Sequence, residues 1–464
     1  MQHTSQPSPH PVEPSRLLSS NTEDYSQISQ ELFSRLACFL NPLIVSLDQR
    51  IDSRLARTFL HTIVVLLQHR HRNHGLLLSE LGGYLLPPDH APAGTKRLSN
   101  LLRCSKWSSR LIEHFLWRQA HDRLTHLQEN GQNALLLWDE SVVEKPESLA
   151  LEGLCAVRSA KAKRLKRIKP GYYNPPGGRP VFVPGWQWIT LLLMGTSGPP
   201  TVAVMRWWSK RGPKAIETRT IQTRLLRQCA RCWKQAVRHV FDRGYAGSPW
   251  LGLLFKHQVR FILRWPKGYV LQNLIGGEAK AWQLTRGQRS WQQRLIWDAR
   301  RHCHRKMGVY AMEVRHPHYS EPLWMVVSKP GKGQEPWYLI TNDPITTIEA
   351  AWQTIFAYSR RWQIEMTFRY NKSELALESP RLWEWERRVK LLLMVTLAYA
   401  FLLSLITWPE MCQWILRHFC HRTGKRNRET SIPLYRLRNA LSRLWLAYLL
   451  YPAWKSKPDY QNSG

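Results

Sequence analysis

Apolar positions recur at helical spacing from about Tyr25 to Glu129, most clearly in "ISQELFSRLACFLNPLIVSL" and "RLARTFLHTIVVLLQHR", which predicts an all-α segment. Within it, "LLLSELGGYLL" and "AGTKRLSNLLRCSKW" are two short helical patterns across a Pro/Asp/Gly-rich connector. They fit a helix-turn-helix-like DNA reader or an ordinary helix pair of a bundle, and Lys96, Arg97 and Arg103 give the second a basic surface. From about Asn133 the texture changes to short β-rich runs: "ALLLWDES", "WQWITLLLMG", "TVAVMRWW", "RHVFDRGY" and "VRFILRWP". Helical patterns lie between the third and fourth and between the fourth and fifth. Three strands, a helix and then alternation predict a mixed α/β sheet. After Pro266, "GVYAMEV", "LWMVVSK" and "WYLITND" predict another mostly β region ending near Pro344, and "YSRRWQIEMTFRYNKSE" (Tyr358 to Glu374) then reads as one helix without proline or glycine. The last strong pattern, "LLLMVTLAYAFLLSLI" (Leu391 to Ile406), falls a little short of the roughly 20 residues that span a bilayer. Basic flanks, Thr396 and Ser404 favour a buried helix over a membrane span.

Charge narrows the partners. The 464 residues carry 67 Lys and Arg against 33 Asp and Glu, a net charge of +34, which calls for a polyanionic partner or a highly anionic surface; nucleic acid leads. An apolar content of 43% excludes a wholly disordered chain. Some of the 23 tryptophans stand among basic residues, as in "MRWWSKRGPK", a composition suited to stacking on bases while neutralising phosphates; most are expected to fill cores. Eight scattered cysteines suit a reducing compartment rather than a disulfide framework. Only Cys229 and Cys232 show ligand-like spacing, and no second pair completes a zinc site. The "RRHCHRK" stretch (Arg300 to Lys306) reads as a solvated basic run, and "RSAKAKRLKRIKPGYYNPPGGRP" (Arg158 to Pro180) as a loop against DNA phosphates or a solvated charge run. The N-terminus lacks the apolar core of a signal peptide and reads as a disordered tail, so a cytoplasmic protein is expected.

Two carboxylates end buried-looking strands: Asp139 closes "ALLLWD" and Asp242 closes "HVFD". A charge there is costly to desolvate unless a cation compensates it, although each aspartate alone also fits a turn cap. In the helix that follows, Tyr358, Arg361, Glu365 and Lys372 fall within an arc of roughly 60° at about 100° per residue. Arg361 and Glu365, an i,i+4 pair, also fit a solvated surface. Were the two strands neighbours with the helix across their ends, Asp139, Asp242 and Glu365 would offer three hard oxygen ligands. Magnesium suits such a set better than zinc, and two ions about 3.5–4 Å apart suit phosphoryl transfer. Glu140, Glu144 and Glu147 lie close to Asp139 in sequence, and Asp139 is preferred for its position at the strand end.

The order Asp139, Asp242, Glu365, with Tyr358-x2-Arg361-x3-Glu365-x6-Lys372, resembles the DDE transposases of bacterial insertion sequences, in particular the IS-four group known by its Tyr-Arg-Glu-Lys signature. Asp139-x-Ser141, "FDRGYAG" and "RWQIE" add to the likeness, which covers roughly residues 90 to 410. The resemblance implies an α/β fold: a ribonuclease-H-like catalytic core interrupted by a β-rich insertion, an N-terminal all-α DNA-binding domain and a C-terminal helical region. On that reading a disordered tail covers 1–24, the helical DNA-binding domain 25–130, the first part of the core 131–267, the insertion 268–345, the second part with the catalytic helix 346–385, and the C-terminal helices 386–464. It further implies that Asp139, Asp242 and Glu365 bind two Mg²⁺ ions, for which Mn²⁺ can substitute. Tyr358, Arg361 and Lys372 would contact phosphates near the cut end, and Trp362 would meet a flipped base. The partners implied are double-stranded DNA, as terminal inverted repeats and target, and a second copy of the chain in a dimer or larger homo-oligomer, with no membrane. The alternative is a basic DNA-binding protein or repressor derived from a transposase that binds without cutting.

Overall fold

Runs of consecutive apolar residues such as Leu135, Leu136, Leu137 and Trp138 are buried on both sides, as central strands covered on two faces require. The computed structural model describes residues 22–69, 75–148, 150–159, 181–298, 303–331, 335–420 and 433–448. The N-terminal tail, most of the basic run from Arg158 to Pro180 and the start of the "RRHCHRK" stretch lie outside the described residues.

Two units divide the chain, one of residues 1–108 with 397–464 and the other of residues 109–396. The first contains α1 (Thr22–Asp48), α2 (Ser53–Gln68), α3 (Leu78–Leu85), α4 (Ala91–Arg103), α12 (Pro409–Phe419) and α13 (Leu434–Tyr448). The amphipathic spacing of α2 buries Phe59, Ile63, Val64 and Leu67, and the Gln68 side chain donates to the Trp445 carbonyl at 2.9 Å, tying α2 to α13. Helices α3 and α4 touch backbone to backbone. A Cβ on Gly82 would stand 2.4 Å from Thr95, and one on Gly94 would stand 2.1 Å from the Gly82 carbonyl oxygen, so neither glycine tolerates a side chain.

The second unit opens with α5 (Ser109–Glu129) and is built on a twelve-stranded mixed sheet. In chain order come β1 (Ala134–Glu144), β2 (Cys155–Arg158), β3 (Phe182–Met194), β4 (Thr201–Trp208), α6 (Thr218–Trp233), β5 (Val237–Phe241), α7 (Ser248–Lys256) and β6 (Arg260–Trp265). They are followed by β7 (Val270–Gln272), β8 (Glu278–Lys280), α8 (Ala281–Leu284), β9 (Gln292–Asp298), β10 (Cys303–His316), β11 (Tyr319–Pro330) and β12 (Trp337–Thr341). Three helices close the unit: α9 (Ile348–Ser359), α10 (Trp362–Ser373) and the first part of α11 (Trp385–Leu405).

Strand order is β2-β3-β1-β5-β6-β12-β11-β10-β7-β8, with β4 on β3 and β9 on β10. β1, β3 and β4 pair antiparallel, whereas β5 and β6 are reached through α6 and α7 and run parallel to β1 and to each other. The five strands expected around Asp139 and Asp242 are all present, and so are the three expected after Pro266. Because β12 pairs with β6, no break separates the later strands from the earlier ones. The expected apolar helix is α11, and among the described residues it is the one helix long and apolar enough to cross a membrane. Leu391 to Leu403 are buried in protein, and so are Arg388 and Lys390. Arg388 lies against the Trp186 ring and donates to the carbonyls of Leu382 and Glu152, so a cation at the head of this helix fastens two loops.

Candidate active site

The parallel ladder of β1 and β5 ends with Trp138 opposite Phe241. Asp139 and Asp242 come next on each strand, so both carboxylates leave the ladder at one level, at the carboxyl end of the parallel pair, where open α/β sheets bind ligands. Only Asp242 ends its strand. β1 continues on its other neighbour, with Asp139 opposite Thr190 and Glu144 opposite Gly185, so Asp139 sits inside an eleven-residue strand rather than at its end. After Asp242 the chain turns sharply, the Tyr245 N–H donating to the Asp242 carbonyl at 3.0 Å. Gly247 then takes φ 146° and ψ 154°, a region open in practice to glycine alone, before α7 begins.

The segment from Tyr358 to Glu374 is not one uninterrupted α-helix. α9 ends at Ser359, α10 begins at Trp362, and the link is a tightened turn in which the N–H groups of Arg361, Gln363 and Ile364 donate to the carbonyls three residues back. The turn keeps Tyr358 and Arg361 aimed the same way. α10 is docked by the Phe368 ring, edge-on to Trp188 of β3 at 4.7 Å, and by buried Ile364 and Thr367.

Three carboxylates meet on one guanidinium. Arg361 Nη1 lies 3.2 Å from Asp139 Oδ2, Nε lies 3.9 Å from Asp242 Oδ1, and Nη2 bonds Glu365 Oε1. Tyr358 donates its hydroxyl to Asp242 Oδ1 at 3.1 Å. Burial is the largest influence on Asp139 and pushes its carboxyl up to about 7, outweighing Arg361 and the Glu140 N–H, which donates to Oδ1 at 2.8 Å. Burial and then the Asp242 charge push Tyr358 up to about 12, so the phenol stays protonated. Burial opposes the charge on Arg361, but Asp242, Tyr358, Asp139 and Glu365 together hold its pKa above the usual value.

Not every expected residue joins this group. Lys372 donates to the Val142 carbonyl at 2.5 Å, farther along β1, and lies 3.6 Å from Glu378. The Trp362 side chain projects outward, 58% exposed. Two features escaped the sequence reading. Arg264 of β6 reaches the Tyr358 hydroxyl, a second guanidinium at the tyrosine that bonds Asp242. Glu140 faces away from Asp139, accepting from Tyr245 at 3.0 Å and from Gln222, with burial raising its pKa. Strand alternation is the signal that separates the two carboxylates, and "GYAG" after Asp242 marks the turn that delivers Tyr245.

Among the described residues, no three His, Cys, Asp or Glu side chains stand as a set able to hold a metal ion. The donors nonetheless suit one: all are hard oxygens, and three carboxylates against one guanidinium leave an excess of two negative charges if all ionise. Burial raises the Asp139 carboxyl first, and the Asp242 and Glu365 charges push it in the same direction to a smaller extent.

Residues 212–401 match the family described as the transposase DDE domain. The matched segment holds Asp242, Tyr358, Arg361, Glu365 and Lys372; Asp139 and β1 to β4 precede it. No curated protein matches the chain at a significant level. This part of the chain is thus similar to a transposase domain, and the Arg361 cluster draws two of its three carboxylates from it.

Proposed function

We propose that the chain is a DNA transposase of insertion-sequence type, which binds transposon ends, cuts their strands and joins them to target DNA. One observation carries this: Asp139, Asp242 and Glu365, from two strands and a helix, converge on one cation at the open end of a parallel ladder. Two further points support it, the transposase-domain match over residues 212–401 and the strand order β4-β3-β1-β5-β6, three antiparallel strands followed by two parallel ones, which favours a ribonuclease-H-like core.

Magnesium ions, for which manganese can substitute, would be held by Asp139, Asp242 and Glu365 and would supply activation of a water or 3′-hydroxyl and stabilisation of the leaving oxygen. The chain's own groups do the positioning. Arg361 orients the three carboxylates and brings a permanent positive charge to the place where a phosphate must sit. Tyr358, fixed on Asp242 by its hydroxyl, keeps that carboxylate from turning away. Lys372 stands at the Val142 carbonyl, placed for DNA that follows β1. DNA in the cytoplasm is the substrate, and pairing of two ends calls for a dimer or larger homo-oligomer.

The test uses the full chain with DNA carrying the repeats that flank its gene. Wild-type protein should cut in Mg²⁺, and Asp139→Asn, Asp242→Asn and Glu365→Gln should each lose at least about 10³-fold in rate, roughly 4 kcal/mol of barrier. Retained cutting in all three variants would remove the site. Binding without cutting by the wild type would leave a DNA-binding protein, and cutting without joined products in the presence of a target plasmid would leave a nuclease.

A further inference from the structure

In the first unit, Asp52, Arg54, Leu55, Arg57, Thr58 and His61 of α2 and its cap, with Arg97 and Asn100 of α4, line a cleft of about 650 Å³. The spacing explains the lining. Arg54, Arg57, Thr58 and His61 are i, i+3, i+4 and i+7 on α2, and Arg97 and Asn100 are i and i+3 on α4, so each helix turns one stripe toward the cleft. Three guanidiniums thus gather with little to oppose them. Among the described residues none of the three makes an ion pair, and Asp52, the one carboxylate in the lining, is turned back to accept from the Arg54 backbone N–H at 2.7 Å. Arg57 uses Nε on the Ser53 carbonyl at 3.4 Å, which leaves its two terminal nitrogens for a ligand. The same charges bear on His61, whose pKa is lowered by burial first and then by Arg57 and Arg97.

Like charges lining one solvent-open cleft are favoured when an anion joins them, and the planar fork of arginine suits phosphate oxygens. The geometry points to a phosphodiester clamp: Arg54, Arg57 and Arg97, with Asn100 as a neutral donor, grip the backbone of duplex DNA. This rests on the reading that the chain acts on DNA and adds where the first unit holds it. Arg97 lies on the helix that packs backbone to backbone on α3, with exposed Lys96 and Arg103 on the same helix, so the clamp and the α3–α4 pair engage one duplex. An anionic membrane is disfavoured because Leu55 is the sole apolar residue in the lining and nothing there would insert among acyl chains.

Full-length protein is titrated against a fluorescein-labelled 30-base-pair duplex at several NaCl concentrations. Each phosphate contact contributes about 0.9 to the slope of log affinity against log salt, so Arg57→Gln with Arg97→Gln should lower the slope by about 2. Affinity near 150 mM salt should fall by about tenfold or more, with thermal unfolding unchanged. Asn100→Glu, which places a carboxylate in the cleft at an exposed position, should weaken binding similarly and serves if the double variant folds poorly. Asp139→Asn should leave the salt slope and affinity intact while losing cleavage, so failure of the clamp and failure of the active site are told apart. An unchanged slope and affinity in both cleft variants overturns the clamp. So does a loss confined to phosphatidylglycerol vesicles with duplex binding preserved.

Discussion

Asp139 and Glu140 are consecutive residues of one strand, both carboxylates raised by burial, and they look out of opposite faces of the sheet. Glu140 lies beside the aromatic cluster of Trp138, Phe241, Tyr245 and Trp250, where its direct donors, a phenol and an amide, are both neutral and the charges of Arg219 and Lys210 act on it more weakly. Asp139 meets Arg361, a cation on a side chain that Asp242 and Glu365 share. Neutral donors wedged among rings have nowhere else to go, whereas a guanidinium among three carboxylates is one of several cations that would satisfy them. Burial of a carboxylate therefore does not mark a reactive site; the kind of partner does.

The largest effect that would break this contrast is on catalysis. Asp139→Asn should lose at least about 10³-fold in end cleavage with unfolding free energy within about 1 kcal/mol of wild type, while Glu140→Gln should keep cleavage within about tenfold. Rate assays on the two variants in parallel check it, and equal losses would mean that the faces do not divide the work. Stability should show the reverse order. Glu140→Ala leaves the Tyr245 hydroxyl and the Gln222 amide without their acceptor in the core and should cost about 2–3 kcal/mol in urea unfolding. Tyr245→Phe, which removes one donor, should cost about 1 kcal/mol, and the double variant should lose less than the sum of the two single losses because both remove the same bond.

Sequence patterning reached the elements whose periodicity is strong and local. The apolar runs of β1, β3, β5 and β6, the stripe of α6 and the apolar α11 are all visible as patterns. β2, β7, β8 and β9 are short, polar or solvent-facing, and only their partners in the sheet make them strands. Around the site, the positions of Tyr358, Arg361 and Glu365 were legible because helical spacing is local. That Asp139 lies inside β1 was not, since the strand's length is fixed by its ladder with β3, more than 40 residues away in the chain. The turn at Arg360 and Arg361 was equally hidden: no breaker residue announces it, and it accompanies an Arg361 held by carboxylates from three elements. Arg264 and the Arg54–Arg57–Arg97 cleft depend on side chains brought together from separate elements, which no spacing rule records.

His239 sharpens the contrast at the smallest scale, on the Glu140 face. Its Nδ1 accepts from the Trp138 indole N–H at 3.0 Å, so the ring proton belongs on Nε2, which has no hydrogen-bond partner among the described residues. A ring so enclosed resists a charge, and burial alone lowers its pKa from 6.5 to about 3. The unfolded chain takes up a proton near pH 6.5 and the folded chain does not, so stability present above that pH is lost as pH falls toward 3. At pH 5 the loss is about 2 kcal/mol. His239→Asn offers a comparable acceptor to Trp138 and cannot titrate. The advantage of wild type over the variant in urea unfolding should therefore shrink by about 2 kcal/mol between pH 7.5 and pH 5. Asp139 and Glu140, whose raised pKa values act in the opposite direction, are common to both chains and drop out of the difference. A difference that stays constant across that range would mean His239 takes up its proton in the fold as it does in the unfolded chain, and its enclosure would then carry no such cost.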